Sequence, residues 1–167
     1  MVGMKYRIPN LPIFEKNAES MGATPVVVAW SEYPFALMQG VVDGGECSKD
    51  SYRSSGLYES AKYVADVDYA YPVEQICFST QFWNSLSEED QKVISDAAAQ
   101  VASHHSERTL DKWEEDKEWL INEGGVTFCD IDRQAFIDAT EPLGKELQDE
   151  GFFTTKDLYD QTRQFNK

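Results

Sequence analysis

"PVVVAWSEYPFALMQGVVDGGEC" occupies residues 25–47, and its reading decides the fold. The run at 25–30, "PVVVAW", is continuous and β-branched, which predicts a strand buried on both faces. Ser31 is placed to cap a following helix, with Glu32 in its first turn near the positive end of the dipole. Gly40 closes that helix, and "VVDGGEC" (41–47) begins the next strand. Gly44 and Gly45 let the backbone turn sharply or come close to another group. A plain turn and a strand that ends at a binding cleft both fit this pair.

The flanks extend the same alternation. "KYRIP" (5–9) predicts a short strand in which Tyr6 and Ile8 alternate with Lys5 and Arg7, ended by Pro9 and Pro12. "IFEKNAESMG" follows as a helix with Phe14, Ala18 and Met21 on one face and Gly22 as its stop. The order β-α-β-α-β with short links predicts an α/β layer around a largely parallel or mixed sheet. Further on, "LYESAKYVA" (57–65) reads as a helix and "VEQICFST" (73–80) as a strand. Ser87 and Asp90 form a capping-box-like start to the longest feature, a helix over about 88–122 that Gly124 and Gly125 end. At 1.5 Å per residue it would be ~50 Å long, which predicts that it bridges two bodies or packs on another chain. "GVTFCDID" reads as a strand. Asp132 caps the next helix, which Pro142 can kink or split, and Thr154 or Thr155 caps the last one.

The composition bounds the function. With 167 residues, 41% hydrophobic and 13% aromatic, the chain has the make-up of a folded domain rather than a disordered one. Fifteen Lys and Arg stand against 30 Asp and Glu, a formal charge of −15. That balance opposes non-specific contact with nucleic acid or anionic lipid. No apolar run approaches the ~20 residues that span a bilayer. The opening "MVGMKYRIPN" lacks the apolar h-region of a secretory signal. Cys47, Cys77 and Cys129 show no metal-ligand spacing, and the adjacent His104 and His105 point apart on a helix, so no metal and no cofactor are expected.

No catalytic constellation stands out: there is no nucleophile elbow, HExxH, phosphate loop or dinucleotide fingerprint. The carboxylates of "WEEDKEW" (113–119) read as a solvated helix face, with Trp113 and Trp119 in packing grooves. Arg7 has two readings. One is an exposed strand residue; the other is a guanidinium at a cleft wall, whose fork suits a carboxylate. Trp30 likewise reads as core, or as an aromatic at the strand end where α/β folds hold ligands.

"GMKYRIPN", "GATPVVVAWSEYPFALMQGVVDGGEC", "KYV" and "FWNSLSEEDQKVISDAA" together resemble the second half of the substrate-binding proteins of TRAP transporters, the DctP type. The resemblance implies a periplasmic-binding-protein-like α/β lobe, flanked by helices, with one very long helix reaching a second body. It implies a periplasmic receptor for organic acids that serves the membrane subunits of a carrier, and not an enzyme. Arg7 matches the family's carboxylate-binding arginine and Trp30 its cleft aromatic. The family's usual Gln-Glu-Asn-Pro is matched by Gly45, Glu46, Cys47 and Ser48, so Cys47 stands where an asparagine would touch the ligand. Residues 1–72 and 113–167 are expected to form the second lobe. Residues 73–112 would belong to a first lobe that lies mostly outside this sequence. An orphaned strand at 73–80 would then seek a copy of itself, giving a homodimer or a domain-swapped assembly. The alternative expectation is a standalone α/β module that has lost small-molecule binding and acts through self-association or protein contacts. By the same resemblance, Cys77 and Cys129 lie in different lobes and form no disulfide.

Overall fold

The structure is a computed structural model that describes residues 1–68, 70 and 75–165, with Ser106 and Leu110 described in their backbone only. Its elements are β1 (Lys5–Ile8), α1 (Pro12–Ser20), β2 (Thr24–Val27), a 3-10 turn (Trp30–Glu32), α2 (Tyr33–Met38), β3 (Gly44–Gly45), α3 (Lys49–Ser54), α4 (Leu57–Ser60) and β4 (Tyr63–Val64). They continue as α5 (Thr80–Ser85), α6 (Glu88–Asn122), β5 (Thr127–Phe128), α7 (Arg133–Asp149) and α8 (Leu158–Arg163). The chain divides into two compact units, one of residues 1–67 with 126–167 and one of residues 68–125.

The first unit is the α/β layer expected. Its main sheet is parallel, ordered β2-β1-β3, with Arg7 in register with Val26 on one side and Gly45 on the other. A second parallel pair joins β4 to β5 through Tyr63 with Thr127 and Val64 with Phe128. Ile8, Ala18 and Ala23 form a core cluster against which Met1, Tyr6 and Phe14 pack. Tyr33, Ala36, Val42, Tyr52, Leu57, Val126 and Leu147 are also buried in this unit. Helix α7 packs on α1 and α8, and Lys16 Nζ pairs with Glu150 Oε2 at 2.8 Å.

Several expectations change in physically informative ways. β2 is an edge strand, so Val27 remains 57% exposed instead of being covered on both faces. Pro25 gave notice of this, because a proline lacks the N–H that a central strand needs. β1 is the central strand, and there simple alternation fails: Arg7 and Ile8 are both buried. Ser31 makes no cap bond, since the helix is entered through the 3-10 turn. α4 lasts one turn and ends at Ala61, because the chain must extend at Tyr63 to pair with β5. Pro142 sits within a continuous α7, whose start Asp132 does cap, accepting from Ala135 N at 3.1 Å. No cap bond from Thr154 or Thr155 starts α8; its N-cap position is Asp157.

The second unit is dominated by α6, 35 residues long as expected from its caps and period. Ser87 Oγ accepts from Asp90 N at 3.1 Å and donates to Asp90 Oδ2 at 2.6 Å, which satisfies the first turn. Residues 75–79 are coil rather than strand, and Ser79 instead caps α5, accepting from Phe82 N at 3.2 Å. Val73 and Glu74 of the expected strand lie outside the described residues. Trp113, Asp116 and Leu120 form the buried face of α6, and Asp116 pairs with Lys112 one turn earlier.

Candidate functional site: a guanidinium between two aromatic rings

The segment "VDGG" holds β3 to the central strand. Asp43 N donates to Lys5 O at 2.8 Å, and Lys5 N donates back to Asp43 Oδ2 at 2.8 Å. Val42 is buried beneath this junction. Neither Gly44 nor Gly45 has a positive φ, so the plain-turn reading is overturned: the two residues are strand. Close approach is what Gly45 provides. A Cβ there would lie 2.6 Å from Tyr33 Oη and 2.8 Å from Arg7 Cβ, inside van der Waals contact.

That approach brings Arg7 into an aromatic frame. Arg7 is only 5% exposed, which overturns the exposed-strand reading. Its Nε donates to Val28 O at 2.9 Å, and its Nη1 lies 3.7 Å from Glu46 Oε1. The guanidinium carbon stands 5.4 Å from the centroid of Trp30 and 5.2 Å from that of Tyr33, both in cation–π range. The rings themselves are 5.9 Å apart and tilted by 51°. Trp30 is 41% exposed, so it is a wall of the site and not core.

Cys47 is half-buried beside this frame, with its thiol free. Burial, with the Glu46 carboxylate next, pushes the Cys47 thiol up to about 12 from 9.0, and the Arg7 charge offsets this only in part. A neutral thiol is a poor nucleophile and a weak donor. The same desolvation raises the phenols of Tyr6 and Tyr33, so both keep their protons. The structure thus brings Arg7, Trp30, Glu46 and Cys47 together. Tyr33 was missed in the sequence. Its signal was the spacing Trp30–Tyr33: residues three apart in a helical turn share a face.

The other candidates do not assemble a site. Glu114, Glu115 and Glu118 are exposed or partly exposed carboxylates on α6, and no metal-holding group of His, Cys, Asp and Glu occurs among the described residues. No described helix is long and apolar enough to cross a membrane.

Comparison with known proteins gives the lineage. The description "Bacterial extracellular solute-binding protein, family 7", DctP, matches residues 1–150. A solute-binding protein of Roseobacter denitrificans is 33% identical over 134 residues, covering 80% of this chain and 41% of its own length. The sialic acid-binding periplasmic protein of Vibrio cholerae is 29% identical over 146 residues, covering 87% of this chain and 45% of its own. A TRAP periplasmic solute-binding protein of Chromohalobacter salexigens, solved with bound d-glucuronate, superposes with a TM-score of 0.83 at 28% identity. That match covers 89% of this chain and 50% of the other. The chain spans about half the length of the curated relatives it matches. The chain belongs to family 7 of the bacterial extracellular solute-binding proteins, the DctP family.

Proposed function

We propose that the chain carries the carboxylate-anchoring part of a TRAP-type solute receptor, with Arg7 as the anchor. The observation that supports this is the state of Arg7. It is a buried cation whose plane is fixed by Val28 O and two rings. Its Nη2 makes no hydrogen bond to any described residue, and no buried side-chain nitrogen of the described structure is left sealed without a partner. A guanidinium held in one orientation with a nitrogen to spare is pre-organised for an organic anion. Glu46 holds the opposite edge, Trp30 packs on the ligand's apolar side, and Cys47 borders it. The relatives bind sialic acid and d-glucuronate, both carboxylates. By the same reading the receptor works in the periplasm, delivers its acid to the membrane subunits of a carrier, and performs no reaction.

Within this reading, residues 1–72 and 113–167 belong to one ligand-binding lobe and 73–112 to another. A second reading rests on the exposed apolar residues of that latter segment, Ile76, Phe78, Phe82, Val93 and Val101. Such a surface asks for a covering body, and where the chain acts alone we propose a second copy of itself, as a homodimer.

The test is a thermal melt and calorimetric titration with d-glucuronate, sialic acid and succinate, for the native chain and Arg7→Lys. Saturable binding of one acid, lost in Arg7→Lys, is the expected result, because a lysine cannot reproduce the fork. Binding that is unchanged in Arg7→Lys would overturn it. Light scattering at tens of micromolar decides the second reading: a dimer is expected and a clean monomer would contradict it.

A further inference from the structure

We infer that Tyr33 is the second hydrogen-bond donor of this anion site, and that Gly45 is the residue that makes room for it. The inference rests on the reading of Arg7 as the anion anchor. Tyr33 is 3% exposed as a residue, and its hydroxyl makes no hydrogen bond among the described residues. No buried side-chain oxygen or nitrogen of the described residues lacks a partner, so this hydroxyl is not sealed in: it keeps access to solvent and is free to donate to a ligand. Its surroundings name the class of partner. The Arg7 cation is stacked 5.2 Å from the ring, and the oxygen lies against the backbone of Gly45, where a side chain would collide with it.

Cys47 cannot fill the same role well. Its thiol is neutral and a weak donor, and the Glu46 carboxylate beside it can only accept. The Tyr33 phenol keeps its proton through burial, so it offers a donor next to the Arg7 charge. A carboxylate that takes one oxygen to Arg7 Nη2 would take the Tyr33 hydroxyl at the other. The group recognised is therefore a single carboxylate of the ligand, bound by one fork nitrogen and one phenol. The absence of a side chain at position 45 is the specificity-determining feature, because any larger residue removes the phenol from the strand.

The experiment titrates the chain with d-glucuronate, following tryptophan fluorescence, in the native protein, Tyr33→Phe, Gly45→Ala and Cys47→Asn. Tyr33→Phe keeps the ring and removes only the unbonded oxygen. Weakening of about tenfold or more at an unchanged melting temperature is the expected result. Gly45→Ala, which displaces the hydroxyl but keeps the phenol, is expected to weaken binding in the same direction. Native-like affinity in Tyr33→Phe overturns the inference. If the native chain fails to bind but Cys47→Asn binds, Tyr33 is not the donor, while the Arg7 reading stands. If neither binds, the Arg7 reading falls and the inference with it.

Discussion

The two units of the chain solve the burial problem differently. Residues 1–67 and 126–165 build a sheet whose central strand is covered on both faces, with Ile8, Val42, Leu57 and Leu147 all nearly inaccessible. Among the described residues of 75–125 the buried positions are Trp113, Asp116, Leu120 and Gly124, all near or just past the end of one helix. The rest of that unit shows water its Ile76, Phe78, Phe82, Val93 and Val101. Phe78 meets Phe82 and Trp83 at centroid distances of 6.0 and 5.5 Å, a cluster of rings on the surface. A unit with its own core can hold a charged group such as Arg7 in a fixed place. The second unit leaves these apolar side chains exposed.

The sharpest way to break this contrast is a pair of truncations. Leu147→Ala empties a filled site between α7 and its neighbours and is expected to cost about 2–5 kcal/mol by urea unfolding. Val93→Ala, at a residue 62% exposed, is expected to change the stability of an isolated chain by less than about 0.5 kcal/mol. Equal losses would abolish the distinction.

Alkaline titration sharpens it next. Burial raises Cys47 to about 12 from 9.0 and Tyr52 to about 12 from 10.0, and raises Tyr6 and Tyr33 as well. Above pH 9 the unfolded chain loses these protons while the folded chain keeps them. Their contribution to stability is therefore complete below about pH 9 and falls away as pH rises towards 12. Melting temperature followed from pH 8 upward is expected to decline from about 9, with an earlier onset than in Cys47→Ala. A flat profile to pH 11 would contradict the burial of these groups.

Smaller effects probe single devices. Gly45→Ala places a carbon against Tyr33 Oη and Arg7 Cβ and is expected to cost about 1–3 kcal/mol, as overpacking does. Ser87→Ala removes the α6 cap and is expected to cost about 1 kcal/mol, read as lost helicity by circular dichroism.

How much of this was legible in the sequence differs by element. α6 was readable to the residue because its start has a side-chain cap and its end has two glycines, both local signals. The parallel sheet was readable from the order of strands and helices. The two-residue strands β3, β4 and β5 exist only through their partners, which lie far away in sequence, so β3 and β5 were expected to be longer and β4 was read as the end of a helix. The described part of the expected strand at 73–80 is instead coil over 75–79 leading into α5, which Ser79 caps, a competition that apolar content alone does not reveal. Arg7 and Trp30 were singled out as candidates through strand position and resemblance, and Glu46 and Cys47 through resemblance alone. Tyr33 was not, since its place above Gly45 depends on a close approach between two segments.

Hydrogen–deuterium exchange with and without d-glucuronate tests the account most directly. It predicts slowed exchange confined to the amides of β1, β3 and residues 28–33, with 75–102 unchanged. Slowing centred on 75–102, with Arg7 and its neighbours indifferent to the acid, would contradict it.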